Sequence, residues 1–130
     1  MPRYLGAEQD IFSIFATAEW NTEGIKAYPS TIVPDNPGQE YIRISIVPSG
    51  QGLNYNSVSG LLLIDIFTAR AQGPKRPMQV ADILDTHFNV KISGNSQFMS
   101  SSLGKTSQDR DDPALCMTSY SIAFNYFGET

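Results

Sequence analysis

Several groups of residues in this sequence have the types and spacing that chemistry can use. Gly104-Lys105-Thr106 matches the end of a phosphate-binding loop, in which backbone N–H groups and a lysine hold phosphate oxygens. The match fails at its other end. Met99 stands where the loop needs a glycine, and Ser107-Gln108-Asp109 runs toward Pro113 instead of into a helix. His87 is the sole histidine, with Asp82 and Asp85 close by in sequence. Acid–base catalysis by His87 requires a nucleophile or carboxylate arranged around it. Asp and His on one helix more often form a solvated face, so His87 reads as a helix-end or interface residue.

Asp109, Arg110, Asp111 and Asp112 supply hard oxygen ligands, but the alternating ligand positions and the glycine of a calcium loop are missing. This cluster reads as a charged turn or rim. Cys116 falls among apolar neighbours, where a free thiol behaves as a small hydrophobe. As the single cysteine it excludes an internal disulfide and argues against a cysteine-built metal site. Arg70, Lys75 and Arg76 precede a helical stretch and read as a solubilising loop, with an acidic partner or phosphate as the other use. No catalytic, metal or cofactor-binding residue is assigned, and no enzyme or cofactor is expected.

Composition narrows the class further. The chain has 130 residues, the size of one domain, and is read as a single domain over 1–130. Its 41% hydrophobic and 17% charged residues are too apolar for a disordered chain and poor in charge for a free monomer. Part of its surface is therefore expected to meet protein. Nine Lys and Arg against thirteen Asp and Glu give a net charge of -4, with no cationic run longer than Lys75-Arg76. Dedicated nucleic-acid binding needs clustered cations and is not expected. The longest apolar run, 61–64, is far short of a membrane span. Met1-Pro2-Arg3-Tyr4 does not open a secretory signal, so retention where the chain is made is expected.

The elements that must position these residues follow from periodicity. Residues 5–20 carry Ile11, Phe15 and Ala18 on one line and Leu5, Phe12 and Ala16 beside it, which predicts one amphipathic helix. Residues 25–36, rich in proline, predict a short edge strand and a loop. Residues 41–47 alternate, with Ile42, Ile44 and Ile46 on one face; Pro48 is expected to end that strand. The polar stretch 49–59 reads as a flexible hairpin arm that can be deleted over 50–57 without unfolding the domain. Residues 61–67 are apolar on both faces and predict a central strand, within which Asp65 needs a partner.

Pro77 suits a first helical turn, and Val80, Ala81, Leu84 and Phe88 form the stripe of a second helix that ends near Asn89 and has the length to cross over the sheet. A short strand is expected at 90–92, weak extended chain through Gln108, and a strong last strand with Cys116, Thr118, Tyr120, Ile122, Phe124 and Tyr126 on one face. The fold class is thus α+β, a mixed, mostly antiparallel sheet with two helices packed on one face.

Taken in order, these features resemble the tail terminator proteins of long-tailed phages (siphoviruses), the family of the lambda minor tail protein U. The resemblance rests on the helix closing at Trp20, the Tyr28-Pro29-Ser30 segment, strand 41–47, the polar arm, strand 61–67, helix 78–88, and the charged turn 109–112 leading into 120–127. It departs at 94–105, whose polarity reads as an insertion or a second mobile loop. The resemblance implies a structural virion protein that forms a hexameric ring on the tail tube, stops tube polymerisation and offers a docking surface to the head. Its implied partners are copies of itself, the tail tube protein and a head-completion or neck protein. DNA would pass through the lumen without sequence-specific contact, and the implied location is the head-proximal tail of the virion, with the host cytoplasm during assembly.

Exposure and loop position nominate Tyr55, Lys75, Arg76, Arg110 and Asp111 as interface residues, with strand addition through the 49–59 arm as the joining mode. Two other readings remain open at this point. One is a head-completion, neck or tail tube subunit. The other is a small ligand-binding domain with an apolar pocket between helices and sheet.

Overall fold

The structure is a computed structural model that describes residues 3–31, 40–51, 57–88, 92–93, 96–108 and 115–127. Its strands form one six-stranded sheet in the order β1-β2-β3-β6-β5-β4. They are β1 (Lys26–Pro29), β2 (Tyr41–Gln51), β3 (Val58–Ala69), β4 (Ile92–Ser93), β5 (Ser96–Gln108) and β6 (Leu115–Tyr126). β1 runs parallel to β2, and every other neighbouring pair is antiparallel. The helices are α1 (Arg3–Phe15), the short α2 (Ala18–Asn21) and α3 (Lys75–Phe88), so the α+β class expected from periodicity is the observed one.

One face of the sheet is covered. Ala7, Ile11 and Ile14 of α1, Trp20 of α2, and Val80, Ala81, Leu84 and Phe88 of α3 share a core with Ile42, Ile44, Leu62, Ile64, Ile66, Tyr120, Ile122, Phe124 and Tyr126. Each Ile or Leu fully buried in such a layer contributes about 1.5–3 kcal/mol relative to exposure. Because β6 lies between β3 and β5, the chain leaves β3, passes through α3 across the sheet, and re-enters at β4 and β5 beyond β6.

Several boundaries differ from expectation. The predicted single helix over 5–20 breaks after Phe15, because Thr17 adopts an extended backbone and caps α2. Its hydroxyl donates to the Ile14 carbonyl at 2.8 Å and accepts from the Trp20 N–H at 3.2 Å. The break turns Trp20 inward, where Phe15 meets it edge-on with centroids 4.8 Å apart. The buried line of α1 is Ala7, Ile11 and Ile14, with Phe12 and Phe15 half-buried beside it and Leu5 exposed.

Pro48 does not end β2, which continues to Gln51 through a register shift between Pro48 and Gly50. The Ile44 carbonyl faces β1, where it accepts from the Ser30 N–H at 2.8 Å. Pro48 shares the parity of Ile44, so its missing N–H falls on the side away from β3 and no ladder bond is lost. Opposite it, Gly60 pairs with Pro48, and a Cβ at Gly60 would overlap the Val47 carbonyl. Ser57 and Val58, assigned by composition to a polar arm, are both buried.

The largest correction concerns 94–105. Residues from Ser96 onward form β5, a 13-residue strand laddered onto β6, so 96–105 is strand and not loop. Two register shifts, between Phe98 and Ser101 and between Leu103 and Thr106, bend it. The short strand expected at 90–92 is observed as Ile92–Ser93; Asn89 and Val90 lie outside the described residues.

Candidate functional site

The residues that could do chemistry are dispersed by the fold. Gly104, Lys105 and Thr106 lie inside β5, where a phosphate-binding loop would need a turn leading into a helix, and Thr106 Oγ1 is 2.7 Å from Thr118 Oγ1 across the strands. His87 packs edge-on against Trp20, centroids 5.2 Å apart, with its Nε2 3.3 Å from Glu23 Oε1. Asp82 is exposed, and Asp85 turns toward the sheet. There Asp85 Oδ1 accepts from Ser101 Oγ at 2.5 Å and from the Tyr120 hydroxyl at 2.6 Å. Burial first, and then the neighbouring Asp85, push the Tyr120 hydroxyl well above its ordinary range, so it stays a donor. His87 and Asp85 thus serve separate contacts, Asp82 is exposed, and the three form no relay. Among the described residues no cluster of three or more His, Cys, Asp or Glu is placed to hold a metal ion.

The nominated interface residues also separate. Lys75 is exposed at the start of α3. Arg76, next to it, is committed internally: its Nε and Nη2 both donate to the Glu40 carboxylate, the latter at 3.1 Å. The hydrogen bond it donates to Glu40 raises its affinity for the proton further. The basic group is thereby reduced to Arg70 and Lys75. Tyr55, Arg110 and Asp111 lie outside the described residues, as does the Asp109–Asp112 cluster. Cys116 is a half-buried free thiol.

What the fold builds instead is a second sheet face that carries no helix among the described residues. Its side chains fall into three zones. At one end Tyr41 stacks on Phe67 with centroids 4.5 Å apart, Tyr28 meets Tyr41 edge-on, and Leu115 and Met117 complete a small cluster. In the middle, the cross-strand row Arg43, Asp65, Ser119 supplies the partner that Asp65 requires. Ser119 Oγ donates to Asp65 Oδ1 at 3.5 Å, while Arg43 Nη2 donates to the Ser30 carbonyl at 2.5 Å. Desolvation raises Asp65 above the ordinary carboxylate range; the Ser119 hydrogen bond and the Arg43 charge oppose this.

At the other end Val47, Leu61 and Ala123 form one cross-strand row, with Phe127 just past the end of β6. Val47, Leu61 and Phe127 are 38%, 40% and 40% exposed. The central strand expected at 61–67 is observed as part of β3. β3 is central within the sheet, but Leu61 on its second face is open. Serines and an asparagine surround this row, through Ser59 Oγ to Asn125 Oδ1 at 2.6 Å and Ser102 Oγ to Ser121 Oγ at 2.8 Å.

The two edges of the sheet are also distinctive. β1 covers β2 only as far as Ile44, and β4 covers β5 only at Ser96 and Gln97. On the outer side of β1, Pro29 has the parity opposite to Ser30, so its missing N–H also faces outward. Pro29 and Pro48 together leave that edge short of donors, which blunts it against strand pairing. Beside it, a groove of about 310 Å³ opens between α1 and the edge, lined by Glu8, Phe12, Pro29 and Ile44 to Ile46 among others. Two further depressions are present, one beside Trp20 and Tyr28 at the rim of the helix–sheet interface and one between α2 and α3, lined by Glu19, Glu23 and His87 among others.

No family model matches the sequence, and no curated protein matches it. A solved structure whose name carries no functional description is similar in fold, with a TM-score of 0.62 at 15% identity, over 90% of this chain and 86% of that one. At that identity the likeness establishes the fold alone.

Proposed function

We propose that this chain is a structural virion subunit, a ring-forming tail terminator that caps the tail tube of a long-tailed phage, halts its polymerisation and presents a docking surface to the head. The observation that carries the reading is the open row Val47, Leu61, Ala123 with Phe127, on a sheet face left bare by the helices. Adjacent apolar side chains on a bare face mark a surface meant for protein. The family order of elements adds support, since helix, strands, helix and strands occur here in the sequence expected of a terminator.

The partners under this reading are copies of the chain in a hexameric ring, the tail tube protein and a head-completion protein. A net charge of -4 suits a ring through which DNA slides, because a cation-rich lumen would hold phosphate. The site of action is the head-proximal end of the virion tail, reached from the host cytoplasm during assembly.

The test is light scattering across a concentration series, followed by negative-stain imaging with purified tail tube protein. A six-fold ring, or a particle that caps tube ends and limits their length, is the expected result. A monomer or dimer that leaves tube growth unchanged would overturn the reading.

A further inference from the structure

Leu103 is an apolar side chain in a polar strand, 39% exposed, on the edge of the sheet opposite to the groove beside Pro29. The ladder fixes the height of each. Pro29 pairs with Ile44, Ile44 with Ile64, Ile64 with Tyr120, and Tyr120 with Leu103, so both ends of this row sit at one level. Residues paired across strands share a face, and Tyr120 lies in the core under the helices. Leu103 therefore projects on the helix side, the side on which Phe12, Ile44 and Ile46 line the groove.

We infer that Leu103 of one copy inserts into the groove between α1 and the β1–β2 edge of the next copy. This contact rests on the reading of the chain as a ring-forming subunit and gives that ring its joint. Three features select a second copy as the occupant. The apolar knob and the apolar groove lie at opposite edges, which is the arrangement a head-to-tail contact needs, and repetition of one such contact closes a ring. Knob and groove share a level and a face, so a copy brought alongside by rotation presents Leu103 to the groove without being turned over. The strand directions agree as well, since β5 runs opposite to β1 and β2, as neighbours in a mostly antiparallel sheet do.

Side-chain insertion, not main-chain strand addition, makes the joint. Pro29 and Pro48 remove outward donors from one edge, and the register shifts around Ser101 and Thr106 bend the other. Residues 52–56 of the 49–59 arm lie outside the described residues, and the joint inferred for this ring runs through β5 and the groove.

The experiment uses the full chain with Cys116→Ala and two new cysteines, Leu103→Cys and Ile46→Cys, oxidised at rising protein concentration. A ladder of covalent oligomers ending in a closed ring is expected, while either cysteine alone gives nothing larger than a dimer. In parallel, Leu103→Asp should keep the thermal midpoint of the unmodified chain and lose assembly. Absence of the ladder, or rings that persist with Leu103→Asp, overturns the inference. Tube capping separates the two claims. A chain that caps tubes yet yields no ladder refutes the joint and keeps the function, whereas a ladder without capping refutes the function and keeps the joint.

Discussion

The Tyr120 hydroxyl, rooted in β6, donates to Asp85 Oδ1 on α3 at 2.6 Å, and this bond ties the helix layer to the sheet in the middle of the core. Ser101 donates to the same oxygen from β5. Tyr120→Phe removes one donor and leaves Asp85 served by Ser101, at a cost of about 1 kcal/mol. Asp85→Ala removes the shared acceptor of both hydroxyls, leaving Tyr120 and Ser101 only each other, and is expected to cost about 1–3 kcal/mol. Urea unfolding of both variants checks the order; equal stability of the two would contradict it.

The same hydroxyl predicts an alkaline limit. Its folded pKa is raised above the ordinary tyrosine value of about 10, so the folded state holds the proton after the unfolded state has released it. The contribution to stability is complete below that ordinary value and declines as pH rises above it. Thermal midpoints measured from pH 8 upward should fall more steeply for the unmodified chain than for Tyr120→Phe. Parallel curves would show that Tyr120 is not the group responsible.

Asp65 predicts a dependence at the acidic end. Desolvation raises its folded pKa, so between the ordinary carboxylate value and the folded one the native state binds more protons than the unfolded state. Stability linked to this group is present at low pH and lost as pH rises through the folded pKa. Asp65→Asn is therefore expected to raise the thermal midpoint at pH 7 by about 1–3 °C, offset in part by lost attraction to Arg43. The gain should shrink as pH is lowered toward about 4. Calorimetry that finds a gain independent of pH would point to a cause other than ionisation.

Arg76 and Lys75 are neighbours with different fates. Arg76 forks onto Glu40, so Arg76→Ala should cost about 0.2–1 kcal/mol of stability and leave assembly unchanged. Lys75→Ala is expected to leave stability within about 0.5 kcal/mol. Denaturation and light scattering on both variants separate the roles; loss of assembly with Arg76→Ala at unchanged stability would restore it as an interface residue.

These neighbours also show where sequence reading stops. Elements that face one covered layer write their geometry into local pattern: Ile42, Ile44 and Ile46 alternate, Val80, Ala81, Leu84 and Phe88 recur at helical spacing, and the strand holding Tyr120 to Tyr126 alternates along its length. β5 writes no such pattern. Its strand state comes from pairing with β6, through contacts such as Ser102 with Ser121 and Thr106 with Thr118, and its Ser and Gly content reads locally as loop. The same polar composition hides Leu103. Exposure of Leu61 was hidden for a different reason, because an apolar residue on a bare face has the same signature as one on a buried face. The cap at Thr17 was legible in principle, since a threonine before a short helix is a known start signal.

The 50–57 deletion gives the sharpest reversal of expectation. Composition predicts that the segment is dispensable for folding, yet Ser57 is 2% exposed and its carbonyl accepts from Arg3 Nη1 at 3.2 Å, joining α1 to the start of β3. The ladder pairs Gly50 with Ser59 and Gln51 with Val58, so the deletion also removes the partners that hold the end of β3. Val58, buried beside Tyr126 across the sheet, would then lose one flank of its strand. Each lost hydrogen bond costs about 1 kcal/mol, and several ladder bonds are lost at once. The deleted chain is expected to unfold at a clearly lower temperature than the intact chain, and far-ultraviolet circular dichroism on heating measures this. An unchanged midpoint would show that β3 is held from the β6 side alone and that the hairpin end is indeed free to carry an arm.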